Sequence, residues 1–419
     1  MRSFYIAILL VFASSASADV QLAELKAQLQ KAADGHDYVS LEAAAAKILQ
    51  LRPGYPRAEY LQALAQAQHG GATGALASLD ELAAQGIHVD LGKPEFAELA
   101  KAPGYPALAQ RFAALLQPVG HVVQAFRLAE PDFIPEGLAH DPGSGDFFVA
   151  SVHLRKIVRV HAGKETPFAD RRSGLWSVLG IAVDPARGVL WAVSDALPQM
   201  QDYDPKLDGK TELLRFDLGS GKLLARYAPP DTAAHAFGDL CVAPDGGVYV
   251  SDAFGGVFWL APGTRALQPL TPAGALDSAQ GLALSADGRH LYVSDYPNGL
   301  YAYELPAHRL LRLRMPEHVS PYYVDGLKLH GGSLIASQNG AEPQRLVSFK
   351  LSQDGLAVTG TEVLEASDPR VPEPTLFEVV GGELYLVANA QWSRFDEKNQ
   401  LPPKDQLQAP LIAKLPLAQ

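Results

Sequence analysis

Residues 20–117 carry apolar positions at the spacing of an α-helix. Leu41 and Ile48 fall on one face of a predicted helix, and Leu61 and Ala65 fall on one face of the next. Breaks containing glycine or proline separate the helical stretches, at Gly35-His36, Arg52-Pro53-Gly54 and His69-Gly70-Gly71. Because one such helix cannot bury its apolar stripe alone, the pattern predicts helices that stack in pairs.

From His121 onward the pattern changes to short β-rich runs and tight turns, and one hairpin unit recurs six times. The copies begin at Glu136-Gly137-Leu138, Leu179-Gly180-Ile181, Gly238-Asp239-Leu240, Gln280-Gly281-Leu282, Asp325-Gly326-Leu327 and Thr375-Leu376-Phe377. Their second strands end at Ala150-Ser151-Val152, Val193-Ser194-Asp195, Val250-Ser251-Asp252, Val293-Ser294-Asp295, Ala336-Ser337-Gln338 and Val387-Ala388-Asn389. Hairpins that return every 40–60 residues or so are typical of propeller blades.

The segment from Val122 to Leu128 precedes the first hairpin and can pair with Pro410 to Pro416, which would close the ring and remove its exposed edges. The sequence therefore predicts a mainly β protein, a six-bladed β-propeller preceded by a small all-α domain. The predicted divisions are residues 1–18 as a signal peptide, 19–118 as the helical domain and 119–419 as the propeller.

The repeat also predicts where a ligand site lies. The first residue of each hairpin should lie nearest the axis, and the antiparallel return brings the end of the second strand beside it. Six residues should therefore ring one mouth of the channel: Glu136, Leu179, Gly238, Gln280, Asp325 and Thr375. Asn389 lies slightly farther out, His153 and Asn339 follow second-strand ends, and Tyr323 lies on a loop entering a blade.

Two resemblances add to this interpretation. Arg52-Pro53-Gly54-Tyr55 resembles the junction between tetratricopeptide units, which implies a scaffold or a surface for a protein partner. Pro135-Glu136-Gly137, Gln280-Gly281-Leu282 and Val324-Asp325-Gly326 resemble the gluconolactonase/regucalcin (senescence marker protein) family, over most of residues 130–340. The whole chain resembles an exported bacterial branch of that family with a tetratricopeptide-like module in front.

The second resemblance implies a metal site. In that family a Glu, an Asn and an Asp at these positions hold a divalent cation, so Glu136 and Asp325 match and Gln280 stands where Asn is expected. Gly238 replaces an Asn that contacts substrate, and Asp239 beside it could compensate, although strand alternation points it elsewhere. Two carboxylates and an amide oxygen suit Ca²⁺ best, with Mg²⁺ and Mn²⁺ as alternatives.

The same positions supply the remaining candidates. Asp325 is the candidate for combined metal ligand and catalytic base, and His153 is the second catalytic candidate. Substrate contacts are expected from Asp239, Asn339, Arg345, Thr375, Asn389 and Tyr323. The Asp residues that end second strands are interpreted as structural, because Asp commonly caps turns.

The net charge and the N-terminal segment indicate which partners are disfavoured and where the protein is located. A formal net charge of −11 gives no electrostatic basis for binding nucleic acid or an anionic membrane. Arg2, the apolar run from Phe4 to Ala13 and Ala16-Ser17-Ala18 are typical of a signal peptide cleaved before Asp19, leaving no membrane span. The single cysteine, Cys241, excludes an internal disulfide. We expect an exported protein, periplasmic or secreted.

Two functions of different classes remain open. One is metal-dependent hydrolysis of a lactone or related ester, with the axial cation polarising the carbonyl. The alternative is a non-catalytic exported propeller that binds a small molecule or a protein partner. The sequence contains no Gly-Xaa-Ser-Xaa-Gly elbow, phosphate-binding loop or zinc-ligand spacing, which disfavours those chemistries.

Overall fold

The computed structural model describes residues 21–417, so the predicted signal peptide and its cleavage point at Asp19 lie outside the described residues. The described chain forms two compact units. One contains the helices up to Gln117 together with Glu317–Ser320, and the other contains Pro118–Pro316 and the chain from Pro321 onward.

The helical unit confirms the helical periodicity. Its elements are α1 (residues 21–34), α2 (Tyr38–Leu51), α3 (Pro56–Gln68), α4 (Ala72–Ala84), a 3₁₀ helix (Pro94–Lys101) and α5 (Tyr105–Leu115). Asp37 caps α2, because its side chain accepts a hydrogen bond from the Ser40 amide at 3.1 Å. Leu41 and Ile48 are fully buried, as the helical period predicts. Within residues 21–417, none of the helices combines the length and the apolar character that crossing a bilayer requires.

The second unit is a six-bladed β-propeller, as predicted. Each blade is an antiparallel sheet of four strands. The first three blades contain β2–β5 (Pro135–Asp141, Asp146–Ser151, Lys156–His161, Lys164–Ala169), β6–β9 (Ser177–Asp184, Val189–Asp195, Thr211–Asp217, Leu223–Tyr227) and β10–β13 (Phe237–Val242, Val248–Asp252, Gly256–Leu260, Gln268–Pro269).

The fourth and fifth blades contain β14–β17 (Ala279–Leu284, His290–Asp295, Gly299–Glu304, Arg309–Arg312) and β18–β21 (Val324–His330, Ser333–Gln338, Arg345–Leu351, Val358–Ala366). The sixth contains β22 (Phe377–Val380), β23 (Glu383–Val387), β24 (Leu411–Pro416) and, as its outermost strand, β1 (Val123–Arg127). Val123 pairs with Lys414 and Arg127 with Leu411, which confirms the predicted closure of the ring.

The innermost strands of blades one to five share a β-bulge at one place. In β2 the register shifts between Pro135 and Leu138, and in β14 it shifts between Ala279 and Leu282. The same shift occurs in β6, β10 and β18. Each bulge contains the dipeptide whose first residue was predicted to lie nearest the axis: Glu136-Gly137, Leu179-Gly180, Gly238-Asp239, Gln280-Gly281 and Asp325-Gly326. Because a bulge redirects its side chains, these residues point away from the normal alternation of the strand.

Close packing of neighbouring blades explains the glycine in most of these dipeptides. A Cβ on Gly137 would lie 2.1 Å from the carbonyl oxygen of Leu179 in the next blade. A Cβ on Gly281 would lie 2.5 Å from the backbone nitrogen of Leu327. Blade three differs, because Asp239 occupies the glycine's place and is only 4% exposed.

Candidate functional site

A cavity of about 370 Å³ lies where the bulged strands meet. Its polar lining includes Glu136, Gln280, Asp325, Asn339, Glu373 and Thr375. Five of these six were predicted at or beside the axial mouth, and they come from four different blades. The cavity therefore brings together the three predicted metal ligands and two of the predicted substrate contacts.

Glu136 is the most buried of the three carboxylates that line this cavity, with 6% of its surface exposed. The indole Nε1–H of Trp392 donates a hydrogen bond to its Oε2 at 2.6 Å. Burial, and then the nearby charge of Asp325, raise the pKa of Glu136 well above its ordinary value. One oxygen of Glu136 is thus held by Trp392, and the carboxylate makes no ion pair with a cation within residues 21–417.

Asp325 is held by a short relay. The Asn339 Nδ2 donates to Asp325 Oδ2 at 2.7 Å, and the Tyr296 hydroxyl donates to Asn339 Oδ1 at 3.1 Å. Burial first, and the charge of Asp239 second, raise the pKa of Asp325 to about 6, against the opposing hydrogen bond from Asn339. The relay fixes one oxygen of the carboxylate and leaves Oδ1 for a ligand.

Gln280 fills space that a side chain at position 238 would need. A Cβ on Gly238 would lie 2.9 Å from Gln280 Oε1, and the Gln280 Nε2 donates to the Ser278 hydroxyl at 3.0 Å. The two departures from the family pattern are therefore coupled in space: the longer amide at 280 fits because position 238 carries no side chain.

Two buried oxygens in the cavity wall lack a hydrogen-bond partner within residues 21–417, namely Gln344 Oε1 and Thr375 Oγ1. A buried polar atom without a partner costs free energy, so such atoms commonly mark a ligand or ion position. Glu373 adds a third carboxylate to the cavity. Burial raises the pKa of Glu373, although the amide and the hydroxyl of Ser393 each donate a hydrogen bond to one of its oxygens.

This donor set fits a hard divalent cation. Carboxylate, amide and hydroxyl oxygens are the ligands that Ca²⁺ takes in groups of about six to eight. Within residues 21–417 no cluster of three or more His, Cys, Asp or Glu side chains has metal-binding geometry. A cation here would therefore be bound by the carboxylates of Glu136 and Asp325 together with amide oxygens. Gln280 supplies the predicted amide oxygen.

Four predicted substrate contacts lie outside the lining of this cavity. Asp239 lies in a narrow void with Lys328 instead, where its Oδ1 accepts from the Leu240 amide at 2.8 Å. The guanidinium Nε of Arg345 donates to Gln338 Oε1 at 2.8 Å, and Asn389 Oδ1 accepts from the Leu411 amide at 2.6 Å. The bonds of Arg345 and Asn389 link separate segments of their blades.

The fourth of these residues, Tyr323, packs edge-on against Tyr296 with ring centroids 5.8 Å apart. It therefore supports the relay to Asp325 rather than contacting the cavity.

His153, the second catalytic candidate, lines another cavity, of about 690 Å³. Its Nδ1 lies 2.6 Å from the carbonyl oxygen of Gln199. A carbonyl can only accept, so His153 carries its proton on Nδ1. The structure therefore does not bring His153 together with Asp325.

The Asp residues at second-strand ends have the structural partners expected of them. Asp252 Oδ1 accepts from the amides of Ala236 and Phe254 at 2.9 and 3.0 Å, and Asp295 Oδ1 accepts from the Ser278 amide at 2.9 Å. Asp195 accepts from the Thr211 hydroxyl. Asp252 and Asp295 thereby fix loops that enter their blades, and Asp195 links the second and third strands of blade two.

The sequence interpretation missed Tyr296, Gln344, Glu373 and Trp392 as lining residues. Tyr296 could have been found, because it follows a second-strand end as His153 and Asn339 do. Trp392 could not, because it reaches Glu136 from a loop in which Gln391 adopts a left-handed backbone with φ of 64°.

No family model and no curated protein matches the chain. Solved structures similar to it include a gluconolactonase from Xanthomonas campestris, at 20% identity over 73% of this chain and 93% of that one, with a TM-score of 0.49. The calcium-binding protein regucalcin from Agrobacterium tumefaciens is 16% identical over 69% of this chain and 94% of that one, with a TM-score of 0.45.

Virginiamycin B lyase from Staphylococcus aureus is also similar, at 12% identity over 72% of this chain and all (100%) of that one, with a TM-score of 0.46. At such identities and TM-scores the likeness does not indicate an activity for this chain.

Proposed function

We propose that this protein is a metal-dependent hydrolase of a lactone or related ester, with a divalent cation, Ca²⁺ foremost, bound by Glu136, Gln280 and Asp325. The observation that carries the proposal is one cavity in which buried carboxylates converge with two oxygens that have no hydrogen-bond partner in the described part of the chain. Like charges in a buried site are costly without a cation or a shared proton. Each of the three ligands comes from a bulge of a different blade.

When bound, the cation would polarise the carbonyl of the substrate and favour the oxyanion that develops. The residues of the chain supply the remaining chemistry. Asp325 accepts the proton of the attacking water as the water oxygen adds to the carbonyl carbon, in the role of a general base. The ester C–O bond then breaks, and the leaving alkoxide takes that proton.

Hydrogen bonds from neighbouring side chains keep Asp325 in place for this role. Asn339, itself bonded by the Tyr296 hydroxyl, holds Asp325 Oδ2, so Oδ1 is the oxygen that remains for water or the cation. Trp392 likewise holds one oxygen of Glu136. Positioning of this kind lowers the reorganisation that a reaction requires.

The second candidate function is non-catalytic binding of a small molecule or a protein partner. One observation favours it: His153, the histidine expected to assist a hydrolytic step, lines a different cavity. Export to the periplasm or the medium belongs to both proposals, and a mature mass that begins at Asp19 in secreted material would support it.

The two functions are separated by an activity panel. The purified chain is stripped on a chelating resin, reconstituted with Ca²⁺, Mg²⁺ or Mn²⁺, and assayed on aliphatic lactones and aryl esters. We expect turnover that depends on the metal and falls by about 10²–10⁴ in Asp325→Asn, the range for a lost general base. Asp287→Asn, in an exposed turn, is the control. Ca²⁺ binding without turnover of any substrate would favour the binding function.

A further inference from the structure

The second cavity is built by two long loops of the propeller. These loops, residues 196–210 and 388–410, join the second and third strands of blades two and six. They are linked directly, because the Gln199 Nε2 donates to Asn399 Oδ1 at 2.7 Å. His153 secures the first loop at its base: its Nδ1–H donates to Gln199 O at 2.6 Å, and the Gln201 amide donates to His153 O at 2.9 Å.

The cavity carries positive charge in a chain whose formal net charge is −11. Arg171, Lys398 and Asp202 lie in its lining, and Arg171 pairs with Asp202 at 3.1 Å. Lys398 makes no ion pair within residues 21–417. Below the loop, the Arg155 guanidinium donates to the carbonyl oxygens of Leu175 and Gln201 at 2.9 and 3.2 Å, so its charge is not neutralised by these bonds.

The axial cavity has the opposite character. It is lined by Glu136, Asp325 and Glu373, and its lining among the described residues includes no lysine or arginine. A row of aromatic rings joins the two cavities: Trp392 lies 6.2 Å from Phe395, and Phe395 lies 6.0 Å from His153, between ring centroids. The two cavities are therefore neighbours of opposite charge along one aromatic wall.

The lining also offers neutral hydrogen-bonding groups. The imidazole of His153 lies in this lining, with its Nδ1 bonded to Gln199 O. Gln201, Gln400 and Tyr203 also line the cavity. Amide, phenol and imidazole groups beside a cation suit a hydroxylated molecule that also carries an acidic group.

We propose that this second cavity binds the anionic group, carboxylate or phosphate, of a hydroxylated small molecule, with Lys398 and Arg171 as its charge partners. The site goes beyond the proposed function, since it requires no axial metal. Where the proposed function also holds, the anionic group belongs to the substrate whose ester carbonyl lies in the axial cavity.

The test is isothermal titration of resin-stripped protein with D-glucuronate, glucose 6-phosphate and, as the neutral probe, glucose. We expect both anions to bind more tightly than glucose, with affinity that falls as salt is raised because exposed charges are screened. Lys398→Gln should weaken both anions roughly tenfold, the loss expected for one charge-assisted contact. The relative affinities of the two anions decide whether carboxylate or phosphate is preferred.

The matched control is Arg172→Gln. Arg172 adjoins Arg171 in sequence, but its guanidinium pairs with Asp170 at 2.7 Å instead of lining the cavity. Because the protein is stripped of metal, the titration measures this site independently of the axial one. Equal affinity for glucose and both anions, no binding of either anion, or an equal loss in the Lys398 and Arg172 variants would overturn the proposal.

Discussion

Replacing Asp325 by Asn should make the metal-free protein more stable while removing its response to Ca²⁺. In wild type, the Asn339 Nδ2 donates to Asp325 Oδ2 at 2.7 Å. An Asn at position 325 keeps the shape of the side chain and an oxygen that can accept this hydrogen bond. It removes one buried negative charge beside Glu136. The same substitution therefore acts in opposite directions with and without the cation.

The expected gain in stability of the metal-free variant follows from the pKa of Asp325. Folding raises the pKa of Asp325 from 3.8 to about 6, so the unfolded chain gives up this proton first. The free energy of unfolding therefore falls as pH rises from about 4 to about 6, and stays lower above that. At about 1.4 kcal/mol for each unit of pKa, the cost at pH 8 is about 3 kcal/mol. Asn abolishes this cost.

Ca²⁺ reverses the order of the two proteins. Wild type should gain about 4.1 kcal/mol at a Ca²⁺ concentration about one thousand times the dissociation constant, which exceeds the cost of about 3 kcal/mol, whereas the variant should gain much less. Thermal melts of stripped protein at about pH 4 and pH 8, with and without Ca²⁺, measure all of these quantities.

Asp287→Asn is the control for a general effect of losing a carboxylate. Asp287 lies in an exposed turn and accepts from the Ser285 hydroxyl at 2.7 Å and the Arg289 amide at 3.0 Å. It should keep the full Ca²⁺ response. A metal-free Asp325→Asn protein no more stable than wild type at pH 8, or one stabilised by Ca²⁺ as much as wild type, would refute this reasoning.

Three further predictions concern the scaffold. Gly137→Ala should destabilise the propeller by about 3 kcal/mol or more in denaturant melts, because its Cβ would lie 2.1 Å from Leu179 O. The control is Gly360→Ala, whose Cβ would have nothing within 4 Å and which should change stability by less than about 1 kcal/mol. Burial raises the pKa of Glu365 to about 8, so Glu365→Gln should stabilise the protein increasingly from about pH 5 to pH 8, and an equal effect at both pH values would contradict this. Residues 119–419 expressed alone should melt cooperatively, since all six sheets are complete within them, and a molten fragment would contradict it.

The repeated hairpin made the architecture predictable from the sequence. Its six copies placed the inner strands, and the pairing of β1 with β24 followed from the apolar segments at either end of the propeller. The axial positions of Glu136, Gln280 and Asp325 followed for the same reason, because a repeat puts equivalent residues at equivalent places. Asp239 lines a different void from the axial cavity.

The loop residues could not be assigned in the same way. Asn389 and Arg345 have the chemistry of substrate contacts, but each is bonded to the chain's own backbone or side chains. Whether a polar side chain meets a ligand or its own fold depends on loop paths that do not repeat between blades. His153 is the clearest case, since the long loops of blades two and six decide which cavity it lines.

The most direct test of the axial site is anomalous X-ray diffraction from crystals soaked in Mn²⁺, with Ca²⁺ soaks in parallel. The account predicts one strong peak in the axial cavity, within about 2.0–2.6 Å of oxygens from Glu136, Gln280 and Asp325. The peak should be absent from crystals of Asp325→Asn and present in those of Asp287→Asn. A wild-type crystal with no peak between these three side chains, or with its peak at another place, would contradict the account.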